Sequence, residues 1–208
     1  MEKFTRMTAI ACPLPAENID TDQILPARFL KLSRNGAHGG ALFRDLRFDA
    51  AGAEQPDFPL NRSPWRQAKI IVAGDNFGGG SSREAAVYAL FDYGIRCVIA
   101  PSFGDIFSQN AAKNGLLTAL LTKSECAALI AALSREPILP VTVDLETTTI
   151  VCGNLSVQFG IDAARRMRLL NGWDDIDLTN SFRDRIDSFK AKNMEQYPWV
   201  MPGPEDAL

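Results

Sequence analysis

KIIVAGDNFGGGSSREAAVYALFDYGIRCVIAPSFGDIFSQNAAKNGLLTALL, residues Lys69–Leu121, decides the fold. Lys69–Ala73, Arg96–Ala100 and Leu116–Leu121 are short apolar runs of strand length. Ser82–Tyr93 and Phe103–Asn114 between them predict helices, and Gly115 is a natural stop for the second. Strand and helix alternate, which predicts an α/β core with parallel pairing. Working outward, Ser124 is placed to cap a helix reaching about Ser134. Val141–Leu145, Thr148–Cys152 and Leu155–Phe159 then predict three close strands, with a tight hairpin at Gly153-Asn154. Helices are expected near Ala163–Leu170 and Ser181–Lys192, the latter with Phe182, Ile186 and Phe189 on one face. Toward the start, residues 4–11 read as a strand ended by Pro13 and Pro15. From about Pro26 to Pro64 glycine and proline punctuation dominates, and a loop of this length is usually functional or mobile.

Composition narrows the function classes. Of 208 residues 46% are hydrophobic and 23% charged, enough apolar surface for a core without staples. Lys and Arg number 22 against 25 Asp and Glu, a net charge of −3, which argues against nonspecific nucleic-acid binding and against an anionic membrane surface. No apolar run has spanning length, and MEKFTRMTAI lacks a signal-peptide core, so a cytoplasmic protein is expected. Cys12, Cys97, Cys126 and Cys152 form no CxxC pair, so they are expected to be free, mostly buried thiols. His38 is the single histidine, so no histidine cluster can hold a metal. Acid–base chemistry must then fall to hydroxyl, carboxylate, lysine or tyrosine groups, or to a partner.

The densest chemistry is Gly74-Asp75-Asn76-Phe77-Gly78-Gly79-Gly80-Ser81-Ser82-Arg83-Glu84. Its glycines let several backbone N–H groups converge on one spot, and the following helix adds the positive end of its dipole. Arg83 brings a planar fork suited to a carboxylate, and Ser81 and Ser82 bring hydroxyls. No lysine follows the glycines as in a P-loop, and the dinucleotide glycine spacing is not met. The segment reads as a small-anion site. The plainer alternative is an ordinary turn with Ser82 as helix cap and Arg83 as surface charge.

Asn18-Ile19-Asp20-Thr21-Asp22-Gln23-Ile24 is the second constellation. Extended, it would aim Asp20 and Asp22 to one side, to orient a basic group or bind a cation. A hydrogen-bonded turn is the alternative.

At these residues the chain resembles the 3-isopropylmalate dehydratase small subunits of the aconitase superfamily. Asn18–Leu30 resembles that family's first signature and Gly74–Glu84 its second. Ser102–Phe107, Asn110, Asn114–Leu117 and Leu169–Ile176 continue the match in order. The resemblance implies a swivelling β/β/α domain, a mixed sheet with flanking helices. A single domain over residues 1–208 is expected, with a loop-rich segment near 29–64 and a C-terminal helical arm near 178–195. It implies a hydro-lyase that isomerises 2- and 3-isopropylmalate by dehydration and rehydration in leucine biosynthesis. Such an enzyme acts only with a large subunit carrying a [4Fe–4S] cluster, so this chain itself would bind no cofactor or metal. The substrate would be a small dicarboxylate. By the same resemblance Ser81 is the catalytic base, and Ser82, Arg83, Gly79 and Gly80 bind substrate. Asp20, Thr21 and Asp22 stand behind those contacts or at the partner interface, and the Phe29–Phe43 loop lies where the substrate side chain is selected.

One position departs from the family pattern. Ala85 stands where a histidine usually follows the serine–arginine–glutamate run. This leaves two further readings open: a subunit acting on another substituted malate or a citraconate-like diacid, and a noncatalytic anion-binding paralogue.

Overall fold

The computed structural model describes residues 1–33 and 35–200. Arg34, inside the expected loop-rich segment, and residues 201–208, at the end of the expected single domain, lie outside them. The chain divides into two units, Met1–Gly172 and Trp173–Leu208. In the first, the elements are β1 (Arg6–Leu14), α1 (Thr21–Ile24), α2 (Arg44–Arg47), β2 (Ile70–Ala73), α3 (Ala85–Tyr93), β3 (Cys97–Ala100), α4 (Asp105–Lys113), β4 (Leu117–Leu120), α5 (Lys123–Arg135), β5 (Pro140–Asp144), β6 (Thr149–Cys152), β7 (Leu155–Gln158) and α6 (Ala163–Asn171). The second holds α7 (Asp175–Asn180) and α8 (Arg183–Gln196). Phe182, Ile186 and Phe189 line one groove along α8, as their spacing predicts.

The strands form one mixed sheet in the order β4-β3-β2-β1-β5-β6-β7. The β4-β3-β2-β1 half is parallel and the β1-β5-β6-β7 half antiparallel. Strands β2 and β3 read as unbroken apolar runs because both their faces are covered. Ile71, Ala73, Val98 and Ala100 meet Val87 and Leu90 of α3 on one face. Ile70, Val72, Cys97 and Ile99 meet Leu129 and Leu133 of α5 on the other. Each leucine or isoleucine removed from water in this way contributes about 2 kcal/mol.

Three sequence expectations shift. Strand β1 runs on through Pro13 to Leu14. The Lys69 N–H donates to the Ile10 carbonyl at 3.1 Å, so Ile10, Cys12 and Leu14 turn their backbone groups to β2. Pro13 turns its nitrogen the other way, where β5 has already ended at Pro140 beside Ile10, and no ladder bond is lost. Helix α5 is capped by Thr122, not Ser124. Thr122 and Glu125 make the reciprocal Thr-x-x-Glu box, with the Thr122 N–H donating to Glu125 at 2.8 Å.

The third concerns residues 26–33 and 35–64, which are a chain of single turns packed into the core. Leu42, Phe43 and Leu60 are fully buried there. The buried Arg47 guanidinium donates to Asn61 Oδ1 at 3.0 Å, and Asn61 Nδ2 donates back to the Arg47 carbonyl at 2.7 Å. This pair satisfies buried polar groups that regular structure would otherwise take up. The turn Ala37–Ala41 lies against the end of α3. A Cβ added at Gly39 would stand 2.7 Å from the Asp92 carbonyl carbon and the Tyr93 nitrogen. Both are backbone atoms, so Gly39→Ala is expected to cost about 3 kcal/mol. Urea unfolding followed by circular dichroism checks it, as a lowered midpoint at unchanged m-value.

Candidate active site

The glycine turn follows directly from β2, and the Asn18–Ile24 segment follows from β1, the neighbouring strand. Parallel pairing therefore delivers both to the same edge of the sheet. They are then knitted along their lengths. The Asn18 N–H donates to the Asp75 carbonyl at 2.8 Å, Gly78 N–H to Ile19 at 2.7 Å, and Thr21 N–H to Gly79 at 3.0 Å. A parallel bridge joins Asp20 to Gly79. Asn76 Nδ2 donates to Asn18 Oδ1 at 2.9 Å, and both asparagines hold positive φ, 57° and 56°. The two constellations that the sequence left separate form one structure.

Segment Ser102–Gly104, after β3, supports the turn from its other side. Phe77 N–H donates to the Ser102 carbonyl at 3.1 Å, and Gly104 N–H to Phe77 at 3.0 Å. A Cβ at Gly104 would meet the Gly78 carbonyl oxygen at 2.5 Å, so the close approach requires glycine. Asp75 accepts from the Ser102 hydroxyl and pairs with Lys123 Nζ at 2.6 Å. Lys123 first and Ser102 second hold the Asp75 carboxyl below the usual carboxylate range.

At the tip, Gly80 has φ +95° and reverses the chain, and Ser81 and Ser82 stand exposed. The Ser81 N–H donates to Thr21 Oγ1 at 3.1 Å. Arg83 Nη1 pairs with Asp22 Oδ1, and the Arg83 side chain keeps 26% exposure. Among the described residues no hydrogen bond takes up the amides of Ser82 and Arg83. Two exposed hydroxyls, one guanidinium and the free amides of Ser82 and Arg83 thus stand close together in the chain at this tip, a set of groups suited to a small carboxylate.

Asp20 does not aim at a partner beside Asp22. Its carboxylate accepts the Gln23 N–H at 2.7 Å and caps α1, with Gln23 returning to the Asp20 N–H at 3.1 Å. The helix expected from Ser82 begins only at Ala85, and Glu84 takes the capping position without a side-chain cap. Tertiary contacts hold the intervening residues out of the helix. Asn110 Nδ2 reaches the Ser82 carbonyl at 3.5 Å, Asn114 Nδ2 donates to Glu84 Oε1 at 2.7 Å, and Asp22 draws Arg83 aside. Ala85 is the first residue of α3, half-buried against the core.

Sequence reasoning did not single out Asp75, Asn76, Ser102 and Lys123 as supports of this turn. The one available signal was Asn76 itself, since asparagine tolerates a left-handed backbone. His38 lies elsewhere: it is 1% exposed, with Nδ1 3.6 Å from Asp92 Oδ2 and its ring edge-on to Tyr88.

The four cysteines are free and buried. Burial pushes the Cys12 thiol up to about 12 and Cys126 to about 11, and raises Cys97 and Cys152 as well. Among the described residues no cluster of three or more His, Cys, Asp or Glu side chains is placed to hold a metal ion. No helix among them is long and apolar enough to cross a membrane.

Comparison with known proteins bears on this site. Residues 1–124 match the family model of the aconitase C-terminal domain. The 3-isopropylmalate dehydratase small subunit of Rhodospirillum centenum is 50% identical over 97% of this chain and 100% of its own length. That of Brucella canis is 48% identical over 96% of this chain and 100% of its own. The crystal structure of 3-isopropylmalate dehydratase from Methanocaldococcus jannaschii superposes with a TM-score of 0.63 at 26% identity, covering 89% of this chain and 99% of that one.

Proposed function

Because this chain belongs to the family of 3-isopropylmalate dehydratase small subunits, we propose that its glycine–serine–arginine turn is the half of a hydro-lyase active site that this chain contributes. The enzyme interconverts 2-isopropylmalate and 3-isopropylmalate by removing and re-adding water in leucine biosynthesis. The small-subunit character of the relatives implies a large partner subunit. The reaction belongs to the cytoplasm, with a substituted malate as substrate.

The observation that carries the reading is the union of two distant segments at one sheet edge, with Ser81, Ser82 and Arg83 presented together on it. Removing a proton beside a carboxylate builds aci-carboxylate charge, which fixed donors and cations must offset. Ser81 is the base. A serine hydroxyl gives up its proton only where N–H donors and positive charge stabilise the alkoxide. The free amides of Ser82 and Arg83 and the start of α3 supply them. Ser82 and Arg83 hold a substrate carboxylate, with the Gly79 and Gly80 backbone closing around it. Asp22 steadies Arg83, Asp20 caps the helix that carries Thr21 and Asp22, and Thr21 ties that helix to the turn.

The four cysteines of this chain are free and buried, and burial raises their thiols. On the family resemblance, a [4Fe–4S] cluster carried by the large subunit would supply the Lewis acid for the departing hydroxyl.

Anaerobic co-purification with the iron–sulfur large subunit, followed by turnover on a panel of substituted malates, tests the proposal. Preference for isopropylmalate is expected, with Ala85 a tolerated change at the edge of the core. Preference for a different diacid would overturn the substrate assignment while keeping the reaction class. A stable complex that turns over none of them would remove the catalytic reading.

A further inference from the structure

Ser81 is exposed at the tip of a turn, directly after a glycine with positive φ and outside regular structure. Gly80 precedes it, and the helix begins only at Ala85. Such a residue would sample several positions unless something fixes its backbone. Thr21 is the residue in reach. It lies 60 positions earlier in sequence, and its side chain is 1% exposed. Its backbone N–H donates to the Gly79 carbonyl at 3.0 Å, and its Oγ1 accepts the Ser81 N–H at 3.1 Å. The same hydroxyl approaches the Ser81 carbonyl at 3.5 Å, so its proton is aimed at the one remaining Ser81 backbone group. Thr21 therefore grips the chain on both sides of Gly80, the residue where it reverses. It is itself fixed from behind, as the first residue of a helix capped by Asp20, with its carbonyl accepting the Leu25 N–H at 3.0 Å.

We infer that the Thr21 hydroxyl is the positioning residue for the catalytic serine: it sets where the Ser81 Oγ stands relative to substrate, without touching substrate itself. This rests on the reading of Ser81 as the base. Valine at this position has nearly the same shape and buries equally well, but cannot accept the Ser81 N–H. Serine keeps the hydroxyl and loses only a methyl group. A positioning role predicts that these two substitutions diverge, whereas a packing role predicts that valine is the better tolerated.

In the complex with the large subunit, Thr21→Val is expected to lower kcat about 30-fold, within the roughly 100-fold that a 1 Å misplacement can cost. KM should change less than about threefold, because Ser82 and Arg83 remain in place. Thr21→Ser should retain kcat within about threefold. In a Ser81→Ala background, Thr21→Val should lower kcat no further, since both changes act on one group. Equal activity of the valine and serine variants would overturn the inference while leaving Ser81 as base. So would a serine variant as slow as valine, or full additivity with Ser81→Ala. Full activity of Ser81→Ala alone would overturn both. If Thr21→Val fails to assemble, Thr21→Ala against Thr21→Ser gives the same comparison.

Discussion

Ser81→Ala, reconstituted with the large subunit, is expected to lose turnover by at least about a thousandfold while the complex forms at its normal affinity. General-base catalysis by a positioned side chain contributes about 10²–10⁴ in rate. The chain's one histidine is buried against Asp92, away from the turn, and its thiols are held protonated by burial. Ser82 is adjacent, but in the proposed arrangement its hydroxyl holds a substrate carboxylate. The substitution removes one oxygen from an exposed position, so the fold has nothing to lose. The decisive pairing is therefore kinetic and structural at once: kcat from single-substrate assays, and complex stoichiometry by gel filtration. Normal turnover with an intact complex would remove Ser81 from the mechanism.

Arg83→Lys is expected to lower kcat/KM about 100- to 1,000-fold, equivalent to about 3–4 kcal/mol of transition-state binding. Charge is conserved, so an effect of this size must come from geometry. Asp22 engages Nη1 only. That leaves the edge formed by Nε and Nη2, whose two parallel N–H vectors match the two oxygens of a carboxylate. An ammonium group has no such edge: what Asp22 takes, the substrate loses. The effect should fall on every dicarboxylate in the panel alike, because the contact is to the shared carboxylate and not to the alkyl group. Near-normal kinetics would show that the guanidinium faces Asp22 alone.

The parallel half of the sheet was legible because its strands are buried on both faces, and unbroken apolar runs such as Ile70–Ala73 leave little choice. The hairpin at Gly153-Asn154 was legible because its turn chemistry is local. Boundaries failed where a distant partner outbid local preference. Ser82 has the chemistry of a cap, yet Asp22, Asn110 and Asn114 hold its neighbourhood out of the helix. The packing of the loop-rich segment was not legible, because the Arg47–Asn61 pair that anchors it joins residues with no pattern in sequence. The residues of the site could be named from their chemistry and their family resemblance. Their assembly could not, since the Thr21–Ser81 bond depends on strands β1 and β2 being neighbours.

That same first strand has a consequence for how the protein is made. Its leading half, Arg6–Ile10, pairs with β5, and its trailing half, Ala11–Leu14, pairs with β2. The two ladders meet end to end on one strand. β1 is synthesised before the other strands of the sheet, yet its second neighbour β5, where Asp144 stands opposite Arg6, is synthesised far later. Until then the nascent chain carries an open edge of the kind that invites pairing with other chains. Loop closure over so many residues makes completion of the sheet a late and slow event. Synthesis thus leaves the leading half of β1 unpaired until β5 has been made.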